Sequence, residues 1–215
     1  MRCHDAGLRS LVQATMEVFG TIGRMKRVDF QGKTDPMILQ ESLEIMGFDM
    51  ETIQNSTGRL KERYFYYLEE FIKDDTSVLL PGVTELLTAL SENESVITGI
   101  LTGNFTESAG IKLGRFGLNG FFKFGVYGDD GTIRTELPPV ARERLRRELG
   151  IELDFADFII IGDTVWDIQC ARDHGAVSVA VGTGWVEKEK LLARGPDFFF
   201  DDLSSTAQVL AAILN

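Results

Sequence analysis

Apolar residues in the first third of the chain recur at helical spacing. Leu8, Leu11, Val12, Thr15, Val18 and Phe19 fall on one face of a helix, and Gly20 is placed to stop it. Asp35-Pro36 reads as an N-cap followed by proline at the first helical position. Ile38, Leu39, Leu43, Ile45 and Met46 carry that second stripe to Gly47. A longer helix rich in Tyr and Phe follows, from about Glu51 to Asp74. Residues 7 to about 78 therefore predict a small all-helical region. Within it, Tyr64-Phe65-Tyr66-Tyr67 is expected to pack in a core rather than stack on a ligand.

The pattern changes near Pro81. Beyond it, short β-branched or aromatic runs alternate with helical stretches. The spacing predicts strands over 96–101, 123–127, 158–161, 177–181 and 198–200. It predicts helices over 82–90, 108–116, 138–149, 168–174, 187–193 and 204–214. Alternation of this kind implies an α/β fold, a parallel sheet flanked by helices on both faces. The chain thus divides into a helical region over 1–80 and an α/β region over 81–215. Ligands of such sheets bind beyond the carboxyl ends of the strands, so the residues that follow each strand carry the candidate chemistry.

Three segments stand out. Thr102-Gly103-Asn104 follows the first strand. The Thr102 hydroxyl could donate to a phosphate oxygen, Gly103 lets backbone approach closely, and the next N–H groups are expected to be free for an anion. The plain alternative is a turn, at about even odds when the tripeptide is taken alone. Gly162-Asp163 ends the apolar run 158–161, and Asp167 follows one helical turn later. Two carboxylates there suit a hard cation such as Mg²⁺; the plain alternative is helix capping, and Asp167 alone fits it well. Arg134, just before the helix at Pro138, could set a cation beside a phosphate, although a solvated surface arginine is the commoner case.

Composition narrows the partners. Hydrophobic residues make up 44% of the 215, enough for a packed core. The net charge of −11 argues against non-specific nucleic-acid binding and anionic membranes, which need a basic face, but leaves room for a locally positive pocket that takes an anionic substrate. Two cysteines, Cys3 and Cys170, lie far apart and suggest a reduced, cytoplasmic protein. His4 and His174 are too scattered for a zinc site. No apolar run approaches the roughly 20 residues of a membrane span.

Together these segments resemble the haloacid dehalogenase-like superfamily, in its phosphoglycolate phosphatase-like branch. Thr102-Gly103-Asn104 is similar to the family's phosphate-binding second motif. Gly162-Asp163 with Asp167 is similar to the fourth, whose acids hold Mg²⁺. The region before Pro81 resembles the family's helical cap, Gly32-Lys33-Thr34-Asp35-Pro36 a segment within that cap, and Gly182-Thr183-Gly184-Trp185 the loop after the next strand. The resemblance implies a Rossmann-like core with a cap, Mg²⁺ as cofactor, and a small phosphorylated metabolite as substrate. The family's third motif brings a lysine near Pro138; Arg134 stands in for it here.

The first motif is the larger departure. In the family an apolar strand ends in Asp-x-Asp, where one acid attacks phosphorus and the other moves protons. No two aspartates in this sequence are separated by one residue. Met1 to Gly7 resembles the linker just after that motif. Phe48-Asp49-Met50-Glu51-Thr52 has a similar spacing of acids but lies between two helical patterns, so Asp49 is expected near a helix N-cap, as is Asp5. The resemblance puts the missing strand between those that bear Thr102 and Asp163. The expectation is therefore a fragment of a Mg²⁺-dependent phosphatase, itself with little or no activity. The alternatives are a non-catalytic phosphate-binding or regulatory domain, or a phosphomutase of the same superfamily.

Overall fold

The computed structural model describes Met1 and residues 5–214; Cys3 and His4, with most of the stretch before Asp5, lie outside the described residues. The chain before Pro81 is helical, as the spacing predicts: α1 (Ala6–Phe19), α2 (Asp35–Leu43) and α3 (Met50–Phe71). α1 packs along α3, and Leu11, Ala14, Leu60, Tyr64 and Leu68 share one buried cluster. Phe105, from beyond Pro81, is buried in the same cluster and ties the helical region to the rest.

Helix caps follow geometry more finely than the sequence suggests. Asp49 caps α3 as expected, accepting from the Thr52 N–H at 2.8 Å. For α2 the cap is Thr34, whose side chain accepts from the Met37 N–H, and Asp35 is instead buried at the first helical position. Asp5 occupies the N-cap place of α1 without a side-chain capping bond, and its carboxylate pairs with Arg9 instead. The N–H groups of Asp5 and Ala6 go to the Asp75 carboxylate, at 3.1 and 2.9 Å.

Beyond Pro81 the order is α4 (Val83–Ser91), β1 (Gly99–Leu101), α5 (Thr106–Gly114), β2 (Phe124–Val126), α6 (Leu137–Arg144), β3 (Ile159–Gly162), α7 (Val165–His174), β4 (Val177–Val181), α8 (Lys188–Leu192), β5 (Phe198–Phe200) and α9 (Thr206–Ile213). Every strand pairing is parallel. The strands form two sheets, β1-β2 and β3-β4-β5. Among the described residues no strand lies between β1 and β3. Ile161 on β3 is 36% exposed, unlike the strands of a parallel sheet buried on both faces. β1 is also shorter than the apolar run that predicts it, because its ladder to β2 begins at Gly99.

Candidate active site

The end of β1 builds the first half of the site. The Thr102 N–H extends the β1-β2 ladder to the Val126 carbonyl at 3.0 Å, which fixes the residue at the sheet's carboxyl edge. Its hydroxyl oxygen accepts from Asn104 twice, from Nδ2 at 2.7 Å and from the backbone N–H at 3.3 Å. Asn104 Oδ1 in turn accepts from Lys112 Nζ.

The backbone N–H groups that follow differ from the sequence expectation. Phe105 N–H donates to Asp35 Oδ2 at 2.9 Å, and Thr106 N–H to Asp129 Oδ2 at 2.7 Å. Two carboxylates therefore already occupy the positive end of α5, where negative charge is favoured. What the loop's side chains offer an anion is the Thr102 hydroxyl proton.

The helical region clamps this loop. Asp35 N–H donates to the Gly103 carbonyl at 2.7 Å, while its carboxylate takes the Phe105 N–H. A Cβ at Gly103 would stand 2.2 Å from the Lys33 carbonyl oxygen, so only glycine admits this approach. One residue earlier in the same segment, a Cβ at Gly32 would meet Trp166 of α7 at 2.2 Å. The segment 32–35 thus crosses from the β1 loop to the start of α7. Lys61 of α3 adds a second tie, 2.7 Å from Asp129.

The end of β3 builds the other half. Asp163 is partly exposed. Burial, and then the charge of Asp167, push its carboxyl above the ordinary range, against the pull of the Met1 amino group and Arg134. A carboxylate in that state is one a cation would relieve. Asp167 is nearly fully buried and both its oxygens are engaged. Oδ2 accepts from Thr164 N–H and Oγ1, at 2.9 and 2.8 Å, in a capping box on α7. Oδ1 receives Arg134 Nη2 at 2.7 Å.

Arg134 joins the halves. It lies in a single helical turn before α6, with its backbone carbonyl against the buried Cys170 thiol, which burial pushes up to about 12. The same Nη2 that meets Asp167 is 3.5 Å from the Leu101 carbonyl at the end of β1. Burial pulls the guanidinium down, but the charge and hydrogen bond of Asp167 outweigh it and hold Arg134 above its usual range. Its Nε is buried with no partner among the described residues. Mg²⁺ commonly takes one or two carboxylates and fills its shell with water and phosphate oxygens. Asp163 fits that role. Asp167, as arranged, is spent on Arg134 and on the helix start. No group of three or more potential metal-binding side chains occurs among the described residues.

Lys112, Asp35 and Asp129 carry weight here that the sequence did not signal. Lys112 and Asp129 sit within a helix or turn with no motif around them, and Asp35 was expected only as a helix cap within a cap-like segment. Their roles arise from contacts 8, 70 and 23 positions apart in the chain.

Residues 13–175 match the family model of the haloacid dehalogenase-like hydrolases, and the chain belongs to that family. A phosphoglycolate phosphatase from Synechococcus elongatus is 27% identical over 138 residues. That match covers 63% of this chain and spans 61% of the length of the curated relative. A hydrolase from Pseudomonas syringae shares the fold with a TM-score of 0.69 at 21% identity, over 96% of this chain and 92% of that one. A β-phosphoglucomutase from Clostridium difficile does so with a TM-score of 0.68 at 15% identity, over 97% and 90%. Among the described residues no helix is long and apolar enough to cross a membrane.

Proposed function

We propose that the chain is the phosphate- and metal-handling part of a Mg²⁺-dependent phosphatase for a small phosphorylated metabolite of the phosphoglycolate kind. The observation that carries this reading is the single Arg134 guanidinium spanning the end of β1 and the start of α7. It ties the strand end just before Thr102 to the helix turn just after Asp163. The curated relative supports the substrate class.

In this reading Thr102 donates to a phosphate oxygen and Asp163 holds the cation. When bound, Mg²⁺ would neutralise phosphate charge and draw the ester to an acidic protein. Asp167 acts one step removed, by fixing Arg134 and the first turn of α7. The segment 32–35 packs on the β1 loop at Gly103 and on Trp166 of α7, and so fixes one border of the proposed site.

No acid in these 215 residues follows a strand in an Asp-x-Asp pair, so the chain alone is expected to bind phosphate without turning over an ester. The test is a generic phosphate ester assay with Mg²⁺, run beside phosphate binding. Saturable binding lost in Asp163→Ala, with no turnover, supports the reading. Turnover by the chain would overturn its inactivity, and absence of binding would overturn the site. A non-catalytic phosphate-binding role is the second reading, favoured by the lack of a third acid beside Asp163 and Asp167 among the described residues. It predicts the same binding, but no turnover even when a strand ending in Asp-x-Asp is joined ahead of Met1.

A further inference from the structure

We infer that Lys112 is a positioning residue for the phosphate grip: by locking the orientation of the Asn104 amide, it forces the Thr102 hydroxyl to donate outward. The inference rests on the reading of Thr102 as a phosphate donor and adds what decides whether it can donate.

A threonine hydroxyl has one proton and two acceptor lone pairs. Both acceptor positions of Thr102 are taken by Asn104, through Nδ2 and the backbone N–H. No acceptor among the described residues takes the remaining proton, so it is left for a ligand. This holds only while Asn104 points its NH₂ at Thr102. A side-chain amide can be turned end for end with little change of shape, and its neighbours decide which way it lies. Lys112 is the neighbour that decides. An ammonium group donates and never accepts, so Asn104 must present its oxygen to Lys112 and its NH₂ to Thr102. Were the amide reversed, its oxygen would draw the Thr102 proton inward and the grip would lose its donor.

The charge of Lys112 is held in place by its surroundings. It lowers the Asp35 carboxyl, which burial otherwise raises. It acts also on the buried Tyr64 hydroxyl, which burial lifts to about 12. The backbone of Gly7 closes over it, with room of 3.3 Å between a Cβ there and Lys112 Nζ. The lysine therefore stands in a fixed polar cluster between the helical region and the β1 loop rather than on a solvated face.

The test is titration of the full 215-residue chain with inorganic phosphate and Mg²⁺, comparing wild type, Thr102→Val, Lys112→Met, Lys112→Arg and the double variant T102V/K112M. Thr102→Val should weaken binding about tenfold or more, the scale of one lost hydrogen bond to a charged group. Lys112→Met should weaken it similarly, and Lys112→Arg, which also only donates, should restore most of it. The double variant should bind no more weakly than T102V alone. Wild-type affinity in K112M would overturn the inference, and so would additive losses, which would make Lys112 a charge and nothing more. Lys112→Gln, nearly the same size, replaces K112M if that variant unfolds, and should give an intermediate loss. The side-chain amide resonances of Asn104 supply a readout that needs no phosphate. T102V should shift the NH₂ protons strongly in the wild-type and K112R backgrounds, where they donate to Thr102, and much less in K112M, where the amide oxygen is free to face that residue. Failure of that pattern overturns the role of Lys112, whereas absence of phosphate binding with the pattern intact overturns only the phosphate reading.

Discussion

Arg134 Nη2 lies 2.7 Å from Asp167 Oδ1 and 3.5 Å from the Leu101 carbonyl oxygen, so one guanidinium bridges the ends of two separate sheets. It acts beside apolar packing that also joins the halves, for α6 packs on β1, β2 and α7, and Phe158 meets the cluster of Val126 and Leu137. Removing one partner of such a buried pair leaves the other charge unpaired, at a cost of about 3–5 kcal/mol. Arg134→Met and Asp167→Leu are each expected to destabilise on that scale in urea unfolding. The double variant should lose much less than the two losses added together. Additive losses would show that the pair is not a coupled unit.

Asp35 gives a pH signature. Burial raises its carboxyl, while Lys112 and the Phe105 N–H pull it back. A raised native value means that the folded chain holds the proton to higher pH than the unfolded one. The wild type therefore loses stability as pH rises from the ordinary Asp value of about 3.8 through the raised native value. Asp35→Asn cannot ionise. Its melting temperature relative to wild type should climb with pH across that window, then level off. A difference that stays flat across the window would remove Asp35 from the account.

Gly103 should resist substitution. A Cβ there meets backbone, the Lys33 carbonyl oxygen, at 2.2 Å. Gly103→Ala is expected to push segment 32–35 off the β1 loop, weaken phosphate binding and cost about 1–3 kcal/mol of stability, the usual range for forced overpacking. Hydrogen exchange at Asp35, whose N–H donates to Gly103, should rise in the same variant. Unchanged protection at Asp35 would contradict the clamp.

Asp49 is a helix cap and nothing else in this structure. Its carboxylate accepts the Thr52 N–H, and that bond holds the group below the usual carboxylate range. Asp49→Asn should change stability little, because Asn caps as well as Asp, while Asp49→Ala should lower the melting temperature by loss of the cap. Phosphate binding should be the same in all three. Loss of any turnover on D49N would mean that this acid does chemistry.

The sequence by itself determined the helical first third, the alternation beyond Pro81 and the parallel sheets, because those follow from periodicities of 3.6 and 2 residues along the chain. It determined the resemblance too, since Thr102-Gly103-Asn104 and Gly162-Asp163 are contiguous and sit where strands end. The cap at Asp49 was legible for the same reason: its partner is three residues away. Tertiary structure alone decided the long-range partners of the polar groups. Asp35 turned from an expected cap into a tie on the β1 loop, because Thr34 takes the cap and burial demands a partner for a carboxylate. The α5 N–H groups expected to receive an anion were claimed by Asp35 and Asp129. Asp167 gave its oxygens to Arg134 and Thr164. Apart from the local Thr164 cap, these contacts join residues far apart in sequence, and a local pattern carries no record of which distant donor will fill a given lone pair.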